Sequence, residues 1–334
     1  MNTDYSKEFK SFVGKKLELE DINLLETKLN EKTIFYYFDI IPQLLESQTN
    51  AKFEIKTEAD KLILHFLSII SPNSIGMLLP YIFECSSISK NWKMRVKSIE
   101  LLGILVDLFP MQICVYLPDI IPELTPHINE IKKEIKSAAY NAMVSCCNVV
   151  GNSDIEHMTQ HIVMAIMEPT KVPELMHELA GVVFVQSVKS SALAMVVPLL
   201  LRGLNAKLIA TRRQSAIIIE NMSKLVDDPI EATPFLPRLL PALRFASETM
   251  SDPEARSVLE RAESQLVRLE KLSNGMTYKL DWDKIITEIK LNLTGSNTNV
   301  DTQIINYVGN TCIGLTLMRD FECDSWKIIT KIMI

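Results

Sequence analysis

Glycine is scarce in this sequence, at 10 of 334 residues. An all-β fold of that length needs turn glycines at frequent intervals, so the shortage excludes one and leaves an all-α fold as the expectation. Aromatic residues amount to only 7%, but 47% hydrophobic and 23% charged residues are ordinary for a chain that buries a core. An excess of positive charge is also missing. The formal net charge is −6, which disfavours a protein that coats nucleic acid, so any RNA contact has to come from a local basic patch. No apolar run is long enough to span a bilayer; the longest, Ala192 to Leu201, is interrupted by Pro198. The N-terminal MNTDYSKEFK has no apolar signal core. The six cysteines (Cys85, Cys114, Cys146, Cys147, Cys312, Cys323) follow no framework spacing and read as free thiols in a reducing compartment. The sequons at Asn221 and Asn292 are then chance matches, and a cytoplasmic location is expected.

Catalytic patterns are lacking too. The string closest to a phosphate-binding loop, Gly309 to Thr316, places Leu315 where lysine is required and carries a helical apolar pattern, so no nucleotide site is expected. His157 and His161 share a helical face, but no Glu or Cys stands in ligand register beside them, and they read as surface histidines. Adjacent Cys146 and Cys147 project about 100° apart on a helix and cannot grip one metal ion together. No nucleophile–base pattern occurs, and the carboxylates Asp227, Asp228, Asp252 and Glu254 fall at turns, where they read as helix caps or solvated turn residues. No enzyme activity, cofactor or small-molecule substrate is expected.

What is present is a repeat. An apolar residue, a proline and a short apolar helix recur at Pro42, Pro80, Pro118, Pro198 and Pro237, with gaps of 38, 38, 80 and 39 residues. The gap of 80 is two periods, and the missing member falls near Gln160. Lys97-Ser98, Lys136-Ser137 and Gln214-Ser215 keep the same beat in the second element. Six helical pairs of about 39 residues fit the HEAT class, an all-α solenoid in which each pair buries its faces against its neighbours. Each proline should open its helix. Pro122 and Pro241, four residues further on, should kink or restart theirs. Apolar residues Ile120, Ile121 and Leu124, and Val258, Ala262 and Leu266, mark buried faces; Ser251 or Asp252 should cap the helix that begins at Pro253. Residues 1–33 read as an N-terminal cap or partial repeat, 34–272 as the solenoid, and 276–334 as a small helical appendage with helices over 281–293 and 302–318.

Residues 79–269 resemble the HEAT region of the fungal translation elongation factor three family. The segments that carry this are KMRVKSIELLGILVDLFPMQICVYLPDIIPELTPHI, VPELMHELAGVVFVQSVKSSALAMVVPLLLRGLN, TRRQSAIIIENMSKLVDDP and FLPRLLPALRFASETMSDPEAR. They are similar, less closely, to the matching part of the large ribosome-bound activator of the starvation-response kinase. INYVGNTCIGLTLMRDFECDSW resembles the helical bundle that follows the repeats in the elongation factor. The resemblance implies a ribosome partner, with the HEAT array against ribosomal protein and rRNA. The family's motor activity belongs to two ATP-binding cassettes, and this sequence stops at Ile334, inside the bundle. Two expectations fit: the N-terminal piece of a longer ATPase, or a natural short protein that blocks the docking site as a dormancy factor. A protein-only HEAT scaffold is the alternative from another class. A monomer is expected.

Basic residues carry the site expectation. Lys93, Arg95 and Lys97 open one second helix, Lys132, Lys133 and Lys136 the next, Arg212 and Arg213 a later one, and Arg256 the last. Stacked repeats would line them up along one edge as a basic ridge suited to phosphate contacts. The same residues could equally pair with the acidic turn of a neighbouring unit. Arg202 and Arg238, inside first helices, are expected in internal or surface pairs.

Overall fold

The computed structural model describes residues 9–30 and 33–275; the expected helices over 281–293 and 302–318, Cys312, Cys323 and the Gly309 string lie outside them. Among the described residues there are fifteen α-helices and no strand. Two helices, α1 (Leu19–Lys28) and α2 (Ile34–Phe38), precede six pairs, of which the first three are α3 (Ile41–Ser47) with α4 (Phe53–Ile69), α5 (Ile75–Ser86) with α6 (Trp92–Leu108), and α7 (Pro110–Ile128) with α8 (Lys133–Asn148). The fourth pair joins α9 (Ser153–Glu156) and α10 (Thr159–Met167) to α11 (Val172–Ala180). The last two are α12 (Ser190–Leu204) with α13 (Ile209–Lys224), and α14 (Leu236–Glu248) with α15 (Pro253–Gly275). Second helices therefore start at residues 53, 92, 133, 172, 209 and 253, and the proline-free member near Gln160 is α10.

The prolines only partly follow the sequence expectation. Pro42 and Pro237 stand at the start of α3 and α14, but Pro80, Pro118 and Pro198 lie inside helices that begin several residues earlier. Pro122 and Pro241 do not restart their helices; α7 runs unbroken through Pro118, Pro122 and Pro126. Each interior proline costs roughly 3 kcal/mol. Against this, α7 buries Ile113, Tyr116, Leu117, Ile120, Ile121, Leu124 and Ile128, at about 1.5–3 kcal/mol per large side chain. Burial wins. The four-residue spacing also keeps the lost hydrogen bonds on one stripe, which runs from buried Pro118 to exposed Pro122 and Pro126.

The described residues divide into two compact units, with the boundary after Leu105. In the first, α1 packs on α4, and His65 Nδ1 lies 2.7 Å from Glu26 Oε1 across that contact. Tyr37 is fully buried and donates its hydroxyl to the Leu25 carbonyl, while Phe38 meets Phe66 edge-on at 5.8 Å.

In the second unit, α12 is the central helix, packed on α7, α13, α14 and α11. That position explains why Ser190 to Val197 is buried all round. Cys146 and Cys147 are buried and free, and burial raises both thiols, Cys147 to about 12, so neither offers a thiolate at neutral pH. Val258, Ala262 and Leu266 are buried as the periodicity predicts, and Asp252 rather than Ser251 caps α15, accepting the Ala255 N–H at 2.7 Å. No described helix is long and apolar enough to cross a membrane.

Candidate functional site

The second unit has two edges, and hydrogen bonds between helices fix what lies on each. Turns that join the first helix of a pair to its second lie on one edge. There Arg202, near the end of α12, donates to the carbonyls of Ala165 and Ile166 in the last turn of α10. Arg212, in the first turn of α13, donates to the Ala246 carbonyl and the Thr249 hydroxyl at the end of α14. Connections between pairs lie on the opposite edge. The Ser191 hydroxyl reaches the Val150 carbonyl after α8, and Val188 N–H donates to the Leu225 carbonyl after α13. Since the end of α8 meets the start of α12 on that second edge, the start of α8, with Lys132 and Lys133, is on the first.

Three of the four arginines of the expected ridge bond to carbonyls and not to an acidic turn. Arg95 is only 6% exposed and donates Nε to the Ser86 carbonyl at the end of α5. Arg256 donates twice to the Met250 carbonyl, just beyond α14, and Arg212 is occupied as described. All three stand fourth in their second helix and satisfy carbonyls that a helix leaves unpaired at its C-terminus. They act as caps of those helix ends; Arg95 is buried and leaves the candidate surface, whereas Arg212 is half-buried and Arg256 exposed. Sequence spacing places a basic residue at the turn but cannot show which helix end lies within its reach.

Arg213 takes the pairing role, 2.9 Å from Glu254 at the start of the neighbouring α15. Lys97 pairs with Glu100 of its own helix at 2.7 Å. Lys93 is exposed, its ammonium 5.8 Å above the Trp92 ring. Lys132, Lys133 and Lys136 are exposed, with Ile131 beside them 98% exposed. Lys207, which the sequence reading passed over, is exposed on the same edge in the α12–α13 turn. Its signal was positional: it sits just ahead of a second helix, as Lys132 does.

Arg202 lies inside the unit as expected, but its partners are carbonyls and not a carboxylate, and desolvation lowers its pKa. Arg202→Ala should cost about 2 kcal/mol by stranding the α10 carbonyls. Lysine should recover less than half of that, lacking the planar fork. Urea unfolding of the two variants checks this; equal midpoints for wild type and alanine would refute the capping role.

Among the histidines, His161 pairs with Glu178 at 2.8 Å and His177 with Gln214 at 2.9 Å. Among the described residues no three His, Cys, Asp or Glu side chains gather as a metal site.

Comparison with known proteins follows the same lines. The family profile described as "EF3 N-terminal HEAT repeat" matches residues 9–143, and that described as "Elongation factor 3/GNC1 HEAT repeat" matches 171–277. The chain is 36% identical to elongation factor 3 of Phytophthora infestans over 306 residues, 89% of this chain and 29% of that protein. It is 33% identical to elongation factor 3 of Pneumocystis carinii over 80% of the chain and 26% of that protein. With elongation factor 3A of Saccharomyces cerevisiae it shares 35% identity over 70% of the chain and 22% of that protein. The chain thus spans less than a third of the relatives it matches, and the family profiles it matches describe HEAT repeats, not a catalytic domain. By its repeats and by these matches, the chain belongs to the elongation factor 3 HEAT-repeat family.

Proposed function

We propose that this chain is a non-enzymatic, cytoplasmic ribosome-docking module whose second unit presents a lysine-bearing edge to rRNA phosphates. Kinship with elongation factors 3 supports a ribosome-associated role in translation. The observation that carries the finer reading is where the lysines stand. Lys132 is the N-cap of α8 and Lys133 its first residue, with no side-chain cap hydrogen bond there. A helix N-terminus is the positive end of its dipole, so cations there cost about 0.3–1 kcal/mol each, where Ser, Asp or Asn would stabilise. Lysines kept at that cost, on one edge with Lys136 and Lys207, suit an anionic partner. Glu130 and Glu134 share the segment. The cluster is therefore a set of discrete donors for spaced phosphates, not a field of one sign. In the first unit, Lys93 is a separate exposed lysine near the start of a second helix.

Pelleting with purified ribosomes, without nucleotide, tests this. Four phosphate contacts, from Lys132, Lys133, Lys136 and Lys207, predict an affinity loss of about 50- to 150-fold between roughly 50 and 200 mM salt. Binding that ignores salt, or no binding at the lower concentration, would end the phosphate reading.

A further inference from the structure

The edge opposite the lysines carries a second, chemically different surface. Residues 179–188, LAGVVFVQSV, hold no charged side chain, yet Val183 is 80% exposed and Val185 76%, with Phe184 between them half-buried. Connecting segments are normally polar because they face water. This one is also held still. Asp154 accepts the N–H groups of Val185 at 2.9 Å and Gln186 at 2.8 Å, and the Gln186 side chain accepts from the N–H and hydroxyl of Ser153 at 2.7 and 2.9 Å. Val188 N–H is tied to the Leu225 carbonyl, and Ser190 N–H to Glu231 at 2.6 Å. A tip fixed from both sides loses little entropy when it is bound, which is how a preorganised contact gains affinity.

The surroundings select the partner. The connections on this edge, 149–157, 181–189 and 225–235, hold the carboxylates Asp154, Glu156, Asp227, Asp228 and Glu231 against a single lysine, Lys189. Asp154 and Glu231 are spent on the loop and Asp228 accepts the Ile230 N–H at 3.0 Å, while Glu156, Asp227 and Asp228 are exposed on these connections. Such a rim repels phosphate and attracts cationic side chains. We infer that Val183 and Val185 dock into an apolar cleft on a basic ribosomal protein, so that the two edges of the second unit grip RNA and protein respectively. The inference rests on the ribosome-docking reading and adds a second contact to it.

Photoreactive benzoylphenylalanine placed at Val183, and separately at Val185, followed by irradiation with purified ribosomes at low salt, tests it. The expected product is an adduct to a ribosomal protein, with the attachment point in a segment rich in Lys or Arg. Adducts to rRNA alone, adducts within the chain itself, or none from protein that still pellets would overturn the assignment and leave ribosome docking standing. Failure to pellet at all would remove both. In parallel, V183S/V185S should weaken ribosome binding about tenfold, while the slope of log Kd against log salt stays that of the wild type, since no charge is lost. A reduced slope, or unchanged affinity, would count against an apolar protein contact.

Discussion

Replacing Lys132, Lys133 and Lys136 together by glutamate is expected to weaken ribosome binding by more than about 100-fold near 50 mM salt, and to lower the salt slope by roughly 2 to 2.7. The slope range follows from three lost phosphate contacts, the lower figure applying to single strands and the upper to duplex. Electrostatic repulsion adds to the affinity loss. Fold and function should separate cleanly here. All three side chains are exposed, and two of them occupy the N-cap and first position of α8. Glutamate at those two positions favours the helix dipole by about 0.3–1 kcal/mol each, so the thermal midpoint should hold or rise while binding collapses. A variant that lost binding and helical content together would show that the lysines support the fold. One that kept the wild-type slope would place the phosphate contacts elsewhere. Lys207→Glu, on the same edge, should give a smaller change of the same kind, about 0.7–0.9 in slope.

How much of this was legible beforehand depends on whether the information is local. Pair number and period were, because each helix has to show an apolar face at 3.6-residue spacing: Ile120, Ile121 and Leu124 are buried, as are Val258, Ala262 and Leu266. The prolines misled because propensity is a local preference and burial a tertiary one; nothing near Pro118 says that α7 will bury enough to carry three of them. The arginines misled for a related reason. Arg95, Arg212 and Arg256 share a sequence position with Lys136, and only the fold shows that carbonyls at helix ends lie within reach of the arginines. The valine tip was unreadable for a third reason. Val185 and Gln186 are anchored by Asp154, about 30 residues away, so the segment looks like an unremarkable apolar stretch until the two connections are brought together. The exposure of Lys132, Lys133 and Lys136 was legible because charged side chains at a turn face water.

Gly203→Ala should destabilise the second unit by about 1–3 kcal/mol, although in an open helix the same change would stabilise by 0.5 to about 1 kcal/mol. Gly203 lies in the last turns of α12, where a Cβ would fall 2.1 Å from the Ser215 Oγ on α13 and 3.2 Å from the Met176 Cγ on α11. Methionine can shift its side chain to make room. Ser215 cannot do so cheaply, being fully buried with its hydroxyl donating to the Thr211 carbonyl at 2.8 Å. Turning the hydroxyl away sacrifices that bond, and keeping it forces α12 and α13 apart along a contact that the unit's central helix depends on. The double variant G203A/S215A identifies the clash. Removing Oγ opens the space while the Thr211 carbonyl keeps its helical N–H partner, so most of the lost stability should return, with a coupling energy above about 1 kcal/mol between the two positions. Additive effects in urea unfolding, or a stabilised G203A single variant, would mean that the two helices do not approach each other as closely as this contact requires. Because α12 also donates Arg202 to the end of α10, loosening it should carry to the lysine edge, and G203A should weaken ribosome binding modestly where G203A/S215A restores it.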